Sequence, residues 1–172
     1  MHLELDGRTG LVTGASAGIG RATARILAGE GVRLAITGRR REKLEELKAE
    51  IVAANGPMPA VIVHDAMDNG YPSAVAQQAL DALGKVEILV NNAGGSRPFK
   101  IDASEEQWNE ALTLNFTRHR QLTHALLDQM IANDWGRIIN ITGKSEPESI
   151  NGAFCAKAAM HSWAKGLSRE VG

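Results

Sequence analysis

The segment best suited to chemistry lies near the amino terminus and has the sequence Thr13-Gly-Ala-Ser-Ala-Gly-Ile-Gly20. It follows a short apolar run and precedes a helical pattern, the setting in which glycine turns bind nucleotide phosphates at a helix N-terminus. In that chemistry Gly14 permits a tight turn, Gly18 lets the backbone approach a pyrophosphate, and Gly20 lets the helix pack closely on the strand. A purely structural glycine turn is the alternative, and the strand–turn–helix context favours nucleotide binding over it.

Three arginines follow the second predicted strand, where dinucleotide-binding proteins select between two common cofactors. An acidic residue about 20 positions after the glycine turn binds the ribose 2′-hydroxyl of NAD. At that distance from Gly18 stands Gly38, and Arg39, Arg40 and Arg41 come next. A guanidinium group can bind a 2′-phosphate through two hydrogen bonds, so we predict NADP(H) over NAD(H), with Arg39 as the first candidate. The alternative is that the arginines are ordinary solvent-exposed charges at the start of the second helix, and we expect this of at least one of them.

Elements must hold these residues in place, and the apolar pattern predicts short strands that alternate with longer helices. The predicted strands are Thr9–Thr13, Arg33–Thr37, Ala60–His64, Val86–Val90 and Gly136–Thr142. The predicted helices are Gly18–Gly29, a charged stretch with Leu44, Leu47 and Ile51 on one face, Val75–Leu83, Ser104–Asn133 and Gly152–Val171. Ser104 and Gln107 have the spacing of a capping box.

This alternation predicts an α/β fold, a Rossmann-like doubly wound parallel sheet with the strand order 3-2-1-4-5. The strands are nearly continuous in apolar residues, so we expect them to be buried on both faces. We found no repeat or linker that divides the chain, which predicts a single dinucleotide-binding domain over residues 1–172.

Composition places the chain among soluble globular proteins. Apolar residues make up 44% of the 172 residues, enough for a buried core. The 19 Lys and Arg residues nearly balance the 20 Asp and Glu residues, which gives no support for a nucleic-acid partner. No apolar run is long enough to span a membrane, and one cysteine cannot form an internal disulfide, so we expect a cytoplasmic location.

Two motifs together resemble the short-chain dehydrogenase/reductase family. One is the TGxxxGxG spacing of the glycine turn, and the other is Asn91-Asn92-Ala93-Gly94 after the fourth predicted strand. Asp65 after the third strand and Asn115 in the fourth helix also match, and the resemblance extends from about Leu5 to Gly172. It implies hydride transfer between a nicotinamide cofactor and a carbonyl or alcohol, with Asp65 at the adenine. Motifs and resemblance together give these cofactor-binding residues: Thr13, Gly14, Ser16, Gly18, Ile19, Gly20, Arg39, Asp65, Asn92, Ala93, Gly94 and Lys157.

The catalytic pattern of the family is only partly present. The family pairs a tyrosine with a lysine four positions later, and here Lys157 aligns with the lysine while Ala153 stands where the tyrosine is expected. The family's second hydroxyl residue after the fifth strand is also replaced, because Thr142 is followed by Gly143. Tyr71 is the single tyrosine, and its place after the third strand puts it near the adenine half at best.

The remaining catalytic candidates are Lys157, Asn115 and Thr142. The resemblance implies that Lys157 holds the nicotinamide ribose hydroxyls and that Asn115 orders a water. Thr142 and Ser145 are the nearby hydroxyls that can substitute for the missing one, although an ordinary turn hydroxyl is the favoured interpretation of each. Lys144 or a proton of the substrate is a further source for the relay. Loss of a positioned general acid slows hydride transfer by about 10²–10⁴ without abolishing it.

We therefore predict an NADP(H)-dependent oxidoreductase with a non-standard catalytic site, and the alternative is a noncatalytic NADP(H)-binding protein or an inactive fragment. The family continues with further strands, so we expect the domain to be incomplete at its C-terminus. The histidines show no metal-ligand spacing, which predicts no metal site. Cys155 is expected to be a small buried residue. The resemblance implies a homo-oligomer through the fourth and fifth predicted helices.

Overall fold

The computed structural model describes residues 3–144 and 146–172, and within them five strands alternate with helices. The strands are β1 Thr9–Thr13, β2 Arg33–Gly38, β3 Ala60–Val63, β4 Ile88–Asn91 and β5 Arg137–Asn140. The helices are α1 Gly18–Gly29, α2 Arg41–Ala53, α3 Tyr71–Leu83, α4 Glu105–Leu112, α5 Arg118–Ala132 and α6 Gly152–Val171. A π-helical turn at Thr113–Thr117 joins α4 to α5.

The strands form one parallel sheet with the order β3-β2-β1-β4-β5, which confirms the predicted arrangement. Leu11 in the central strand β1 pairs with Ala35 of β2 on one side and with Leu89 of β4 on the other. β1 and β4 are buried along their whole length, because helices cover both faces of the sheet. The order of the chain reverses between β1 and β4, and the crevice beyond their carboxyl ends is where such sheets bind ligands.

Helices on the two faces of the sheet bury two apolar cores. α1 and α2 cover one face, where Leu44, Leu47 and Ile51 are buried as their spacing predicts. α3 and α5 cover the other face, with Val75 and Leu122 fully buried. The sheet is therefore the packed middle layer of the fold, and it gives rigid support to the loops at the carboxyl ends of its strands.

Most element boundaries follow the sequence pattern, and the differences have local causes. α3 begins at Tyr71, earlier than predicted, because Pro72 suits the first turn of a helix. The capping box of Ser104 and Gln107 at the start of α4 is confirmed. The single long helix predicted from there is interrupted by the π-helical turn, whose backbone hydrogen bonds span one residue more than those of an α-helix.

Two expectations about burial are wrong. β5 is not buried on both faces, because Ile139 is 44% exposed and none of the described strands pairs with the outer edge of β5. Cys155 is exposed rather than buried. The buried stripe of α6 runs through Ala153, Ala156 and Met160, and Cys155 lies off this stripe.

Candidate functional site

The glycine motif places one glycine before α1 and two in its first turn, and each position restricts or excludes a side chain. Gly14 and Gly18 have backbone φ angles of +64° and +55°, in a region that favours glycine. A Cβ atom on Gly20 would lie 2.5 Å from the carbonyl oxygen of Gly14, so α1 packs closer to the turn than a side chain at this position permits. A Cβ atom on Gly18 would meet nothing within 4 Å. Gly18 therefore presents bare backbone to the space at the N-terminus of α1.

Thr13 at the end of β1 ties the glycine turn to the segment that follows β4. Its hydroxyl donates to the carbonyl of Val90 and accepts from the backbone N–H groups of Asn92 at 2.9 Å and Ala93 at 3.0 Å. The side-chain amide of Asn92 donates back to the carbonyl oxygens of Thr13 and Gly14. Because these bonds join the backbones of both segments, the two loops form one rigid floor.

An open crevice of about 590 Å³ runs along the carboxyl edge of the sheet over this floor. The volume lies within the range of small-molecule sites, roughly 300–1,000 Å³. Thr13 and Gly20 are buried and do not line the crevice. The predicted cofactor residues that line it are Gly14, Ser16, Gly18, Ile19, Arg39, Asp65, Asn92, Ala93 and Gly94.

Two of the three arginines line the crevice where β2 ends. Arg40 donates to the hydroxyl of Ser16 at 3.1 Å, and the guanidinium of Arg39 lies 3.6 Å from the carboxylate of Asp65. Arg41 lies on α2 and faces an acidic side chain one turn later at 4.0 Å. The alternative of a merely solvating arginine therefore fits Arg41, whereas Arg39 and Arg40 place positive charge at this end of the crevice.

The loop between β3 and α3 walls the same end, and a buried arginine at the start of α5 holds it. The carboxylate of Asp65 accepts from the backbone N–H of Met67 at 2.9 Å. Arg118 donates to the carbonyl oxygens of Ala66 at 3.0 Å and Met67 at 3.1 Å and to the side chain of Asn69 at 2.9 Å. Sequence reasoning missed Arg118 because its partners lie about 50 positions away and no local motif marks it.

Lys157 on α6 is not among the residues that line the crevice, but its amine lies beside Gly94, which does line it. A Cβ atom on Gly94 would lie 3.7 Å from the Nζ atom of Lys157. Burial of the amine lowers the pKa of Lys157 to about 8. Ala153, one turn earlier on α6, is buried and has no group that exchanges a proton. The lysine of the family pattern thus lies beside the crevice wall at Gly94, without the tyrosine of that pattern.

Asn115 lies in the π-helical turn, where it is 2% exposed. Its Oδ1 atom accepts from the N–H of Gly95 at 3.1 Å, and its Nδ2 atom donates to the carbonyl oxygens of Gly95 and Ala111, both at 2.9 Å. The amide therefore holds the backbone that follows Gly94 against the helix. Ordering of a water by Asn115 stays a prediction.

His119, one turn after Asn115, is a second side chain whose role sequence reasoning missed. Its Nε2 atom lies 2.6 Å from the carbonyl oxygen of Ala93, so this nitrogen carries the proton and donates it. The Nδ1 atom is buried and has no hydrogen-bond partner among the described residues. Burial and the nearby charge of Lys157 lower the pKa of His119 to about 3, so the ring is neutral at pH 7.

The hydroxyl candidates are less closely placed. Thr142 is exposed after β5, at the carboxyl edge of the sheet, and Ser145 lies outside the described residues. Tyr71 is buried at the start of α3 and lines the crevice together with Asp65, and burial raises the pKa of its phenol. Its ring meets His64 edge to face, with the ring centroids 5.8 Å apart. The structure thus puts the single tyrosine at the end of the crevice away from Lys157.

Residues 3–144 and 146–172 contain neither a candidate metal site nor a candidate membrane span. His, Cys, Asp and Glu side chains nowhere form a group of three or more there that could hold a metal ion. None of the helices in these ranges has both the length and the apolar character that a membrane crossing requires.

A parallel 3-2-1-4-5 sheet with a glycine turn where the strand order reverses defines the Rossmann-like class of α/β proteins. Within this class, the family model for the short chain dehydrogenases matches residues 8–172, and the chain belongs to this family of oxidoreductases. Nodulation protein G of Rhizobium sp. (strain N33) is 38% identical over 174 residues, which cover 98% of this chain and 69% of that protein.

Solved structures share the fold over nearly the whole chain. A 7α-hydroxysteroid dehydrogenase complexed with NADH and 7-oxo glycochenodeoxycholic acid has a TM-score of 0.92 at 30% identity, covering 97% of this chain and 66% of that one. A metagenomic short-chain oxidoreductase in complex with NADP has a TM-score of 0.85 at 33% identity, covering 96% and 78%. This chain spans about two thirds of the length of the curated relative and of the hydroxysteroid dehydrogenase.

Proposed function

We propose that this chain binds NADP(H) in the crevice and is an oxidoreductase that reduces a carbonyl, or oxidises an alcohol, by hydride transfer at a non-standard catalytic site. One observation carries the proposal: the glycine turn and two arginines line the crevice together, and the amine of Lys157 lies beside Gly94, which lines it too. Related structures hold NADH in one case and NADP in another, which supports a nicotinamide dinucleotide as the ligand.

The residues of the crevice fit such a ligand. Bare backbone at Gly18 and the positive end of α1 suit the pyrophosphate. Asp65 and the loop after it offer a wall for the adenine. Gly94, next to Lys157, offers small backbone where the nicotinamide and its ribose need close approach.

The preference for the 2′-phosphorylated cofactor rests on Arg39 and Arg40. A carboxylate at the end of β2 would repel a 2′-phosphate, and Gly38 stands there instead. Arg39 is 71% exposed and makes one long ion pair with Asp65, so its guanidinium can turn towards a phosphate dianion. Arg40 and the hydroxyl of Ser16 add donors at the same place.

The proposed chemistry divides between cofactor and chain. The bound nicotinamide supplies the hydride chemistry. Lys157 places a cation at the ribose hydroxyls, and with a pKa of about 8 it can release and regain a proton near neutral pH. Thr142 contributes an exposed hydroxyl at the same edge. Absence of the tyrosine costs about 10²–10⁴ in rate, equivalent to roughly 3–5 kcal/mol of barrier, so we expect slow turnover.

A noncatalytic NADP(H)-binding protein is the second candidate, and Ala153 is the observation that favours it. This residue is buried where the family's proton donor is expected, and its methyl group cannot replace a phenol. In this candidate function the same crevice senses or stores the dinucleotide, and every contact proposed for the phosphates is kept.

Two measurements on the chain test the proposal in sequence. Calorimetric titration is expected to show NADPH binding at least about tenfold more tightly than NADH, and failure to bind either one contradicts the proposal. Single-turnover loss of NADPH fluorescence with ketones and aldehydes then separates the candidates. Slow oxidation that disappears in Lys157→Met and persists in Lys165→Met, an exposed lysine of the same helix, supports the oxidoreductase. Tight binding without oxidation supports the noncatalytic protein.

A further inference from the structure

At the start of α5, the buried side chain of Arg118 supports one wall of the crevice through hydrogen bonds. Arg118 is 7% exposed and donates hydrogen bonds to the carbonyl oxygens of Ala66 and Met67 and to the side-chain oxygens of Asn69 and Gln121. It takes part in none of the ion pairs found in the described part of the chain. A buried guanidinium is stable only when its N–H groups are paired. Here the pairing goes mainly to one loop, so the position of Arg118 fixes that loop.

The loop that Arg118 holds is part of the crevice wall. Asp65, Ala66 and Met67 line the crevice at the end that carries Arg39 and Arg40. Arg118 is not among the lining residues, so it can influence a ligand only through the loop. Release of the loop would leave its backbone free to move away from the space where we place the adenine.

His119, the next residue, holds a second part of the crevice wall through a hydrogen bond. Its Nε2 atom donates to the carbonyl oxygen of Ala93, whose segment lines the crevice beside Lys157. Consecutive residues of a helix point about 100° apart, because one turn takes 3.6 residues. Arg118 and His119 can therefore hold two separate parts of the wall from one point of α5.

We propose that Arg118 and His119 are positioning residues for the bound dinucleotide, Arg118 for its adenine half and His119 for its nicotinamide half. The proposal rests on the proposed function, since it takes NADP(H) to be the ligand. It goes beyond the glycine turn and the arginines, because neither residue belongs to those motifs and Arg118 does not line the crevice.

Two probes separate the halves in calorimetric titrations: adenosine 2′,5′-bisphosphate, which carries only the adenine half, and NADPH. Arg118→Met is expected to weaken both about tenfold. His119→Leu is expected to weaken NADPH about tenfold and to leave the bisphosphate within about twofold, and His119→Gln, which restores an N–H donor, is expected to recover most of the loss. Arg120→Met is the matched control, since Arg120 makes none of the side-chain hydrogen bonds found among the described residues.

A measurement without ligand keeps the test independent of turnover and of cofactor. Arg118→Met is expected to speed amide hydrogen exchange at residues 66–69 relative to Arg120→Met.

Asn69→Ala covers the case in which Arg118→Met fails to fold. Asn69 is exposed, and its substitution removes one of the hydrogen bonds between Arg118 and the loop. It is expected to weaken the bisphosphate about two- to fourfold.

The outcomes are distinguishable. Loss of both probes in the Arg118 or Asn69 variant, with loss of NADPH alone in His119→Leu, supports the proposal. Loss of the bisphosphate as well as NADPH in His119→Leu, or no loss beyond that of Arg120→Met in the Arg118 and Asn69 variants, overturns it while the proposed function stands. If the unaltered chain binds neither probe, the proposed function fails and this inference fails with it.

Discussion

Arg39 is held on the crevice wall by one long ion pair, and this looseness makes it the residue most able to change cofactor preference. Arg39→Asp places a carboxylate where it repels a 2′-phosphate and can accept from a ribose 2′-hydroxyl. We expect NADPH to bind about 100-fold more weakly and NADH to bind as well or better. Calorimetry with both cofactors measures the ratio. Arg41→Asp on α2 is the control, and an unchanged ratio in Arg39→Asp contradicts the assignment.

Lys157 predicts a pH dependence of binding. Burial lowers its pKa from 10.5 to about 8, so the ammonium loses its proton as the pH rises through 8. If the cation holds the ribose hydroxyls, NADPH affinity is constant below pH 7 and falls above pH 8. Titrations from pH 6.5 to 9.5 measure the fall, which Lys157→Met is expected to remove. A fall of equal size in Lys157→Met assigns it to another group.

Lys157 also predicts that the free energy of unfolding rises with pH, opposite to the trend in cofactor affinity. Between about pH 8 and pH 10.5 the unfolded chain binds the lysine proton more strongly than the folded chain, so this group's contribution to the free energy of unfolding rises with pH. Urea unfolding at pH 7.5 and 9.5, compared with Lys157→Met, measures the difference. As the pH rises from 7.5 to 9.5, a buried amine is expected to weaken cofactor binding and to raise the free energy of unfolding of the chain without cofactor.

The individual site residues were predictable only where a motif names them. Spacing alone made Gly14, Gly18 and Gly20 candidates, because each has a fixed place in the turn from a strand to a helix, and their function stays a prediction. It could not identify Arg118 and His119, because their partners lie 52 and 26 positions away and depend on how α5 packs. Hydrogen bonds to backbone carbonyls leave no trace in the sequence of the segment that accepts them.

Among the elements, the amino end of the sheet depends on a buried carboxylate next to β4. Glu87 accepts hydrogen bonds from Arg8 at 2.6 Å, Lys85 at 3.0 Å and the N–H of Thr9 at 3.0 Å. Burial raises the pKa of Glu87, but these bonds outweigh it and lower the pKa to about 2. The carboxylate thus joins β4 to the segment that leads into β1.

Glu87→Gln is expected to lower the free energy of unfolding by about 1–3 kcal/mol, discounted because both cations are partly exposed. The contribution of Glu87 is full above about pH 4.5 and is lost as the pH falls towards 2, since the unfolded carboxyl takes up its proton first. Urea unfolding at pH 7 and pH 3 checks both statements. Glu45→Gln on exposed α2 is the control, and equal effects of the two substitutions contradict this role.

The elements themselves were more predictable than the site. Apolar runs and helical spacing located every strand and most helix limits, because packing of apolar side chains between the sheet and its helices dictates them. The π-helical turn was not predictable, since it accompanies the contacts of Asn115 with Gly95 and Ala111. Exposure of Cys155 was missed for a related reason: small residues surround it on α6, and only the packing shows which of them face the core.

For the molecule as a whole, we expect self-association through the face formed by α4, α5 and α6. Phe116 and Trp163 meet edge to face there with centroids 6.2 Å apart, and Leu112 is 37% exposed. Sedimentation is expected to show a homo-oligomer whose dissociation constant rises at least about tenfold in Leu112→Glu. Ile26→Glu, at an exposed site on α1, is the control. A monomer at all concentrations contradicts this expectation.

The strand order also bears on how the chain folds as it leaves the ribosome. β1, β2 and β3 pair in the order of their synthesis, but the second edge of β1 waits for β4, and Thr13 reaches its partner Val90 only 77 positions later. At 5–20 residues per second this delay is roughly 4–15 s. During that interval the nascent chain carries an open strand edge whose residues are all buried in the finished fold, so a chaperone that shields extended segments has its best opportunity here.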